Sequence, residues 1–186
     1  MIRTGELIAV RAVRLIEKKL LVVLVIAIGF PGSLLLVASA ANAQEPRTAA
    51  SMAALKDKTA KLGAPRIQGE EAVGGKTVPV LYFGSTKMNN DFTIVDEIGT
   101  EDPGMAATLF VKAGDEFIRV ATSVQLPDGR RAVGTVLAAP ALDSIRAGKP
   151  YHGEVQVLGI PYITDYEPIE DTSGETVGAY FVGYNQ

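Results

Sequence analysis

The second half of the chain is a succession of short β-rich segments separated by turns, and this pattern constrains the fold more than any other feature. Strands that follow one another after tight turns pair in antiparallel fashion. Ala113-Gly114-Asp115 indicates a hairpin, and the turns at Gly159 and at residues 171–174 indicate a three-stranded meander. The predicted strands are residues 77–83, 106–112, 116–124, 131–137, 151–158, 160–169 and 176–184.

Three shorter segments have the pattern of helices. Residues 51–62 place Met52, Leu55 and Leu62 on one side after Ser51, which predicts a helix capped by this serine. The other two predicted helices are residues 90–98, capped by Asn89 or Asn90, and residues 140–147, which begin with a proline. Residues 69–75 are predicted to be a loop. The fold class is therefore α+β, with an antiparallel sheet of five or six strands and flanking helices.

The N-terminus has the form of an export signal. A basic leader precedes an apolar run over residues 20–30, and Ala41-Asn42-Ala43 offers a small-x-small cleavage site. The basic residues of the leader are Arg3, Arg11, Arg14, Lys18 and Lys19. Residues 1–43 are predicted to be a signal peptide, residues 44–75 a helix and linker, and residues 76–186 a ligand-binding domain.

An uncleaved membrane anchor is the alternative interpretation, because the apolar stretch over residues 20–38 approaches the ~20 residues that span a bilayer. Pro31-Gly32 interrupts this stretch and favours cleavage. In both cases residues 44–186 are expected in the periplasm, either free or attached to the inner membrane.

Composition excludes several classes of site and partner. The chain has no cysteine and a single histidine, His152, so disulfides, thiol nucleophiles and zinc sites of the Cys/His kind are excluded. The net charge is +3 over residues 1–43 and −6 over the remainder, and an acidic body is a poor partner for nucleic acid.

No residue set predicts an enzyme. The glycine-rich residues 69–75 lack the nucleotide-binding patterns, and no serine lies in a nucleophile-elbow context. His152 is better explained as a hydrogen-bonded strand residue than as a catalytic base. Asp165 and Glu167 share the outward face of a strand, which a solvated surface explains better than a metal site. We expect no cofactor, no metal and no catalysis.

Arg119 is the residue most indicative of function. It lies in the middle of a predicted strand, and an arginine buried there needs an anion or a carboxylate partner. Its planar fork of donors matches a small carboxylate ligand. Pairing with an internal Asp or Glu, or extension into solvent, is the alternative.

Several tyrosines lie on two other predicted strands, residues 151–158 and 160–169. Tyr162, Thr164 and Tyr166 share one face of the strand over residues 160–169, and Tyr151 lies on its predicted neighbour. Tyrosine combines an apolar wall with a hydroxyl group, as in the lining of small-ligand pockets. Core packing explains each tyrosine equally well when it is taken alone.

Four blocks of sequence carry a family resemblance: ATLFVKAGDEFIRVATSV, DGRRAVGT, YHGEVQVLGIPYITDYEPIED and GETVGAYFVGY. In this order they resemble the Cache superfamily, and in particular the Cache 3/Cache 2 fusion type of single-Cache domain of bacterial methyl-accepting chemotaxis proteins. The resemblance covers about residues 76–184. It implies a PAS-like fold whose central sheet holds a small organic acid such as acetate or propionate on its concave side.

The resemblance also implies site residues. Arg119 and Thr122 match the family's F-x-R-x-x-T strand, while Tyr162 and Tyr166 match its G-x-P-Y-x-x-x-Y-E-P segment. Thr122 can share the face of Arg119 only if the strand contains a bulge. The expected ligand-binding residues are Arg119, Thr122, Tyr151, Tyr162, Thr164 and Tyr166.

The chain departs from chemoreceptors in its helix over residues 51–62, which is shorter than the family's dimerising helix. The sequence also stops at Gln186, without the family's second span and cytoplasmic coiled coil. We therefore expect a periplasmic carboxylate sensor that acts in chemotaxis or signal transduction through a membrane-bound partner, with a homodimer left open. The alternative is a structural or interaction domain of an envelope assembly with no small ligand.

Overall fold

The computed structural model describes residues 47–185, which form two antiparallel sheets and three helices. The helices are α1 (Arg47–Ala60), α2 (Thr93–Glu101) and α3 (Ala141–Arg146). The strands are β1 (Pro65–Val73), β2 (Lys76–Phe83), β3 (Thr86–Lys87), β4 (Ala106–Ala113), β5 (Glu116–Thr122), β6 (Tyr151–Val157), β7 (Ile160–Glu170) and β8 (Thr176–Asn185). None of these helices is long and apolar enough to span a membrane. The predicted signal peptide or anchor, residues 1–43, lies outside the described residues.

The central sheet has five strands in the order β5-β4-β8-β7-β6, and every neighbouring pair is antiparallel. The hairpin β4–β5 and the meander β6-β7-β8 form as the turn pattern predicts. Strands β1, β2 and β3 make a separate three-stranded sheet. The predicted α+β, PAS-like fold is confirmed.

Both faces of the central sheet are covered, which gives the domain two cores. On the back face, α1, α2 and the small sheet pack against the central strands through Met52, Leu55, Leu81, Phe83, Val95, Ile98, Leu109, Val111 and Val182. On the front face the cover is α3 together with residues 123–140, which we call the cover segment. The front core contains Phe110, Phe117, Leu137, Ile145, Val155, Val157, Tyr166 and Phe181.

Strand β5 contains a bulge that decides which of its side chains reach the front face. Leu109 pairs with Ala121, but the next residue, Phe110, pairs with Arg119, so Val120 has no partner on β4. Val120 and Ala121 both join the back core. Arg119 and Thr122 consequently lie on the same face of the sheet, although a regular strand would place them on opposite faces.

Two predicted segments differ in the structure. Residues 69–75 are not a loop: β1 continues to Val73, and only Gly74 and Gly75 form the turn to β2. Residues 131–137 do not form a continuous strand, because the cover segment pairs in β fashion only at Val136, opposite Ile118, and at Arg131, opposite Gln125. Local composition does not reveal either outcome, since both depend on which neighbouring strand is available for pairing.

The predicted caps are also wrong. Helix α1 begins at Arg47, so Ser51 lies within the helix and donates its hydroxyl to Asp102. Asn89 is buried instead, where its side chain accepts from the backbone N–H of Leu81 and donates to the carbonyl of Pro79. At the start of α2, the side chain that accepts from the backbone N–H of Thr93 is that of Asp91.

The β1–β2 turn docks on the cover segment. Gly74 and Gly75 both have positive φ, at 57° and 83°. A Cβ atom on Gly74 would lie 2.4 Å from the carbonyl oxygen of Val133 and 2.7 Å from Cα of Gly134, whereas a Cβ on Gly75 would meet nothing within 4 Å. The tip of the small sheet therefore touches the backbone of the cover segment without intervening side chains.

We predict that Gly74→Ala destabilises the protein more than Gly75→Ala. Both substitutions impose the cost of positive φ, but only the first forces two backbones apart, which costs about 1–3 kcal/mol in addition. Urea unfolding of both variants measures the difference in free energy of unfolding. Equal losses would show that the turn does not dock on Val133 and Gly134.

Candidate functional site

Arg119 lies on the front face, on the edge strand β5 of the central sheet, and is only 3% exposed. It pairs with Phe110 on the neighbouring strand, and its guanidinium carbon is 5.0 Å from the centroid of the Phe110 ring. The cation therefore rests on an aromatic face inside the front core.

The guanidinium has few polar partners within residues 47–185. Nη1 donates to the hydroxyl oxygen of Thr135 at 2.6 Å, while the buried Nε donates to no acceptor. Arg119 takes part in none of the ion pairs of this region, whereas the half-buried Arg131 is paired with Asp96. Internal pairing, the alternative that the sequence leaves open for Arg119, is not found among these residues.

Burial without an opposite charge disfavours the charged form of Arg119. Desolvation lowers the pKa of its guanidinium from 12.5 to about 10, and the nearby hydroxyl groups of Tyr166 and Tyr162 oppose that shift only in part. Burial also raises the pKa of Tyr166 to about 12. At neutral pH the site thus holds one positive charge and one neutral phenol.

Backbone hydrogen bonds hold Arg119 in place. Its N–H donates to the carbonyl of Thr135 at 2.9 Å, and its carbonyl accepts from the N–H of Gly134 at 2.8 Å. Two residues further along the cover segment, the N–H of Leu137 donates to the carbonyl of Phe117 at 2.9 Å. The cover segment therefore runs beside β5 and fixes the arginine between two backbones.

A cavity of about 270 Å³ opens next to the guanidinium. Its walls come from β5, the cover segment and the β6–β7 hairpin, and apart from Arg119, Tyr166, Gln156 and Gly159 they are aliphatic. The aliphatic residues are Val136, Leu137, Ala138, Val155, Val157 and Leu158. The volume suits a ligand smaller than the molecules that occupy typical drug-sized pockets.

Tyr166 is the second predicted site residue in this lining. The centroid of its ring lies 4.9 Å from that of Phe181 and 6.4 Å from that of Phe110, the ring on which Arg119 rests, and both pairs are tilted rather than stacked. These aromatic contacts fix the tyrosine close to the cation.

The two predicted threonines are on the correct face but use their hydroxyl groups internally. The Thr122 hydroxyl lies 2.7 Å from that of Thr108 and accepts from the N–H of Val124. The Thr164 hydroxyl donates to the carbonyl of Gly153 at 2.7 Å. Both threonines join strands or turns rather than line the cavity.

Tyr151 and Tyr162 lie farther from the cavity. Both are half-buried and pack against the front core. The ring of Tyr151 meets that of Tyr166 edge-on at 6.4 Å, and its hydroxyl makes a long contact, 3.4 Å, with the carbonyl of Glu154. Of the six predicted residues, the structure thus brings Arg119 and Tyr166 to the cavity wall, and the other four do not line it. Tyr151, together with Tyr166, lines a second groove instead.

A larger groove, about 500 Å³, lies between α1 and the edge formed by β6 and β7. Its polar side chains other than the tyrosines are paired with each other: Nδ1 of His152 lies 2.5 Å from the carboxylate of Asp165, and Lys56 contacts Glu167. The prediction that His152 is a hydrogen-bonded strand residue is confirmed. Because this groove contains no unpaired buried charge, the smaller cavity is the better candidate for a ligand site.

Sequence reasoning missed the aliphatic lining of the cavity and three residues on which the candidate site depends. Thr135 and Phe110 contact the guanidinium, and Leu158 lies at the cavity wall. Phe110 could have been found by aligning the β4–β5 hairpin with its bulge. Thr135 and Leu158 come from segments whose position depends on tertiary packing, and the sequence carries no signal for them.

Comparison with known proteins agrees with this architecture. The family model of the Cache 3/Cache 2 fusion domain matches residues 35–186. A search of curated proteins finds no match. Cache domains are sensors that bind small ligands, are typically extracytoplasmic and usually form part of membrane signalling proteins. The chain, with its PAS-like sheet and its cavity beside a buried arginine, belongs to the Cache 3/Cache 2 fusion domain family.

Proposed function

We propose that this sensor domain binds a small carboxylate at Arg119. The observation that carries the proposal is a cation that is 3% exposed, lacks an opposite charge within residues 47–185 and borders a cavity. A carboxylate in this cavity would accept from the guanidinium fork and would offset the cost of burying the charge. The Tyr166 hydroxyl, which stays protonated, is available as a further donor.

Signal transmission is the second part of the proposal. Thr135 contacts Arg119, and one residue away Gly134 abuts the β1–β2 turn at Gly74. A carboxylate that takes over donors of Arg119 would change the position of the cover segment, and close backbone contact would pass that change to the small sheet. A membrane-bound partner, in chemotaxis or a related pathway, would respond if it binds the two forms with different affinity.

The proposed role is binding rather than catalysis. The polar groups at the cavity are Arg119, Tyr166 and Gln156, and His152 faces the other groove. A nucleophile with a base and an orienting group is the usual requirement for hydrolytic chemistry. We further propose that the domain works in the periplasm, whether the N-terminal segment is cleaved or retained as an anchor.

A domain without a small ligand is the alternative, and the contacts of Arg119 with Thr135 and Phe110 are the observation in its favour. In that case Arg119 would be a structural residue that stabilises the front core. The two candidates predict different effects of an Arg119 substitution on the stability of the ligand-free protein.

We predict that Arg119→Met abolishes carboxylate binding while leaving the free protein equally stable or up to about 2 kcal/mol more stable. The reason is that an aliphatic side chain removes an uncompensated buried charge. Calorimetry of the full chain with monocarboxylates from acetate to hexanoate, and urea unfolding without ligand, provide the two measurements.

Arg131→Met is the matched control, since Arg131 also rests on a phenylalanine ring, that of Phe92, at 4.3 Å. Its guanidinium is paired with Asp96 and donates to the carbonyl of Thr122. This variant should lose about 1 kcal/mol of stability and keep ligand binding. No binding by the wild type, together with a large loss of stability in Arg119→Met, would favour the structural alternative.

The contact between Arg119 and Thr135 yields another expected result. Thr135→Val has nearly the same shape but removes the hydroxyl that, within residues 47–185, accepts from the buried cation, so we expect it to destabilise the free protein by about 1–3 kcal/mol. Because Thr135 also donates to the carbonyl of Ala132, a double-mutant cycle with Arg119→Met separates the two bonds. A coupling energy of zero between the two positions would contradict the proposed role of Thr135.

A further inference from the structure

The wall of the Arg119 cavity beyond the guanidinium is mainly aliphatic, with Tyr166 and Gln156 as its other polar side chains. Leu137, Val155 and Val157 are among its lining residues, and within residues 47–185 no Asp, Glu, Lys or second Arg lines it. A ligand whose carboxylate meets Arg119 therefore has mainly apolar neighbours around its remaining atoms. A second charge on the ligand would be buried without a partner.

Leu158 stands at this wall in an unfavourable conformation. It forms the two-residue turn between β6 and β7 together with Gly159, and the two residues have φ of 53° and 85°. Turns of this kind favour Asn-Gly, because a branched aliphatic residue is strained at positive φ. The strain brings Leu158 no burial, since its side chain remains 41% exposed.

An exposed leucine in a strained turn is unexplained by the packing of the free protein. It does line the cavity, to which it is contributed by the β6–β7 turn while Arg119 comes from β5. A ligand that filled the cavity and extended to the turn would cover this side chain and give it apolar contacts. Strain at a site residue is a recognised feature of ligand-binding segments.

We propose that the ligand is an unbranched aliphatic monocarboxylate whose chain runs from Arg119 along Val155 and Val157 to Leu158, which determines chain-length specificity. This inference rests on the proposed function and adds the class of acid. The cavity of about 270 Å³ holds at most about nine groups of the ~30 Å³ that one water molecule occupies. Acids of about four to six carbons, butyrate to hexanoate, stay within that limit.

The experiment is a calorimetric series from acetate to hexanoate with the full chain, with succinate and alanine as charged competitors. Each added methylene group should raise affinity about fourfold, as expected for burial of apolar surface. Succinate and alanine should bind more weakly than butyrate, because the cavity wall offers no partner for their second charge.

Leu158→Asn isolates the role of the turn. Asparagine tolerates positive φ, so the free protein should melt at an equal or higher temperature. Affinity for hexanoate should fall about fourfold or more, while affinity for acetate should stay unchanged. Leu158→Gly, which also removes the side chain, should reproduce the same selective loss and serves if the asparagine variant misfolds.

Ile160→Asn is the matched control, because Ile160 belongs to the same hairpin and is 48% exposed but does not line the cavity. It should leave the whole acid series unchanged. Binding that requires Arg119 but does not vary with chain length, or equal losses for acetate and hexanoate in Leu158→Asn, would overturn this inference and leave the proposed function intact. Absence of binding for every acid in the wild type would overturn both.

Discussion

A positive charge buried between two backbones is the constraint around which the front half of this domain is arranged. Arg119 is held by main-chain hydrogen bonds to Thr135 and Gly134, and its side chain has Thr135 and the Phe110 ring as partners. An uncompensated charge in a protein interior lowers the free energy of unfolding, so other interactions must offset that loss. The two hydrophobic cores on either side of the central sheet, with Phe110, Phe117 and Phe181 in the front core, provide the offsetting stability.

The arrangement depends on a single irregularity in β5. Without the bulge at Val120, the side chains of Arg119 and Thr122 would point to opposite faces, and one of them would enter the back core between the central sheet and α2. With the bulge, the hydroxyl group of Thr122 contacts that of Thr108 and accepts from the N–H of Val124 on the front face. The cover segment therefore begins on the face of the sheet that holds Arg119. A local defect in pairing thus positions a charged group and the segment that covers it.

The site is also connected to the opposite face of the domain. Gly134 abuts the turn of the small sheet, while Arg131 bridges the carbonyl of Thr122 and the carboxylate of Asp96 on α2. On the back face, the buried hydroxyl groups of Thr59 and Tyr180 lie 3.0 Å apart and join α1 to β8. Close-packed contacts of this kind move as units, which is the physical basis for a binding site that can influence distant elements of the same domain.

The sequence by itself determined the five strands of the central sheet, the β4–β5 hairpin, the β6-β7-β8 meander and the candidate role of Arg119, because alternation, glycine turns and a charge in an apolar strand are local signals. It did not determine β1, which pairs with β2 although its composition resembles a loop, nor the path of the cover segment. It also could not show that Thr122 and Thr164 use their hydroxyl groups internally, or that Thr135 and Leu158 lie at the cavity. Those outcomes were decided by the tertiary structure, since a side chain's partners depend on which backbone lies opposite, and the sequence specifies that only through the packing of the whole domain.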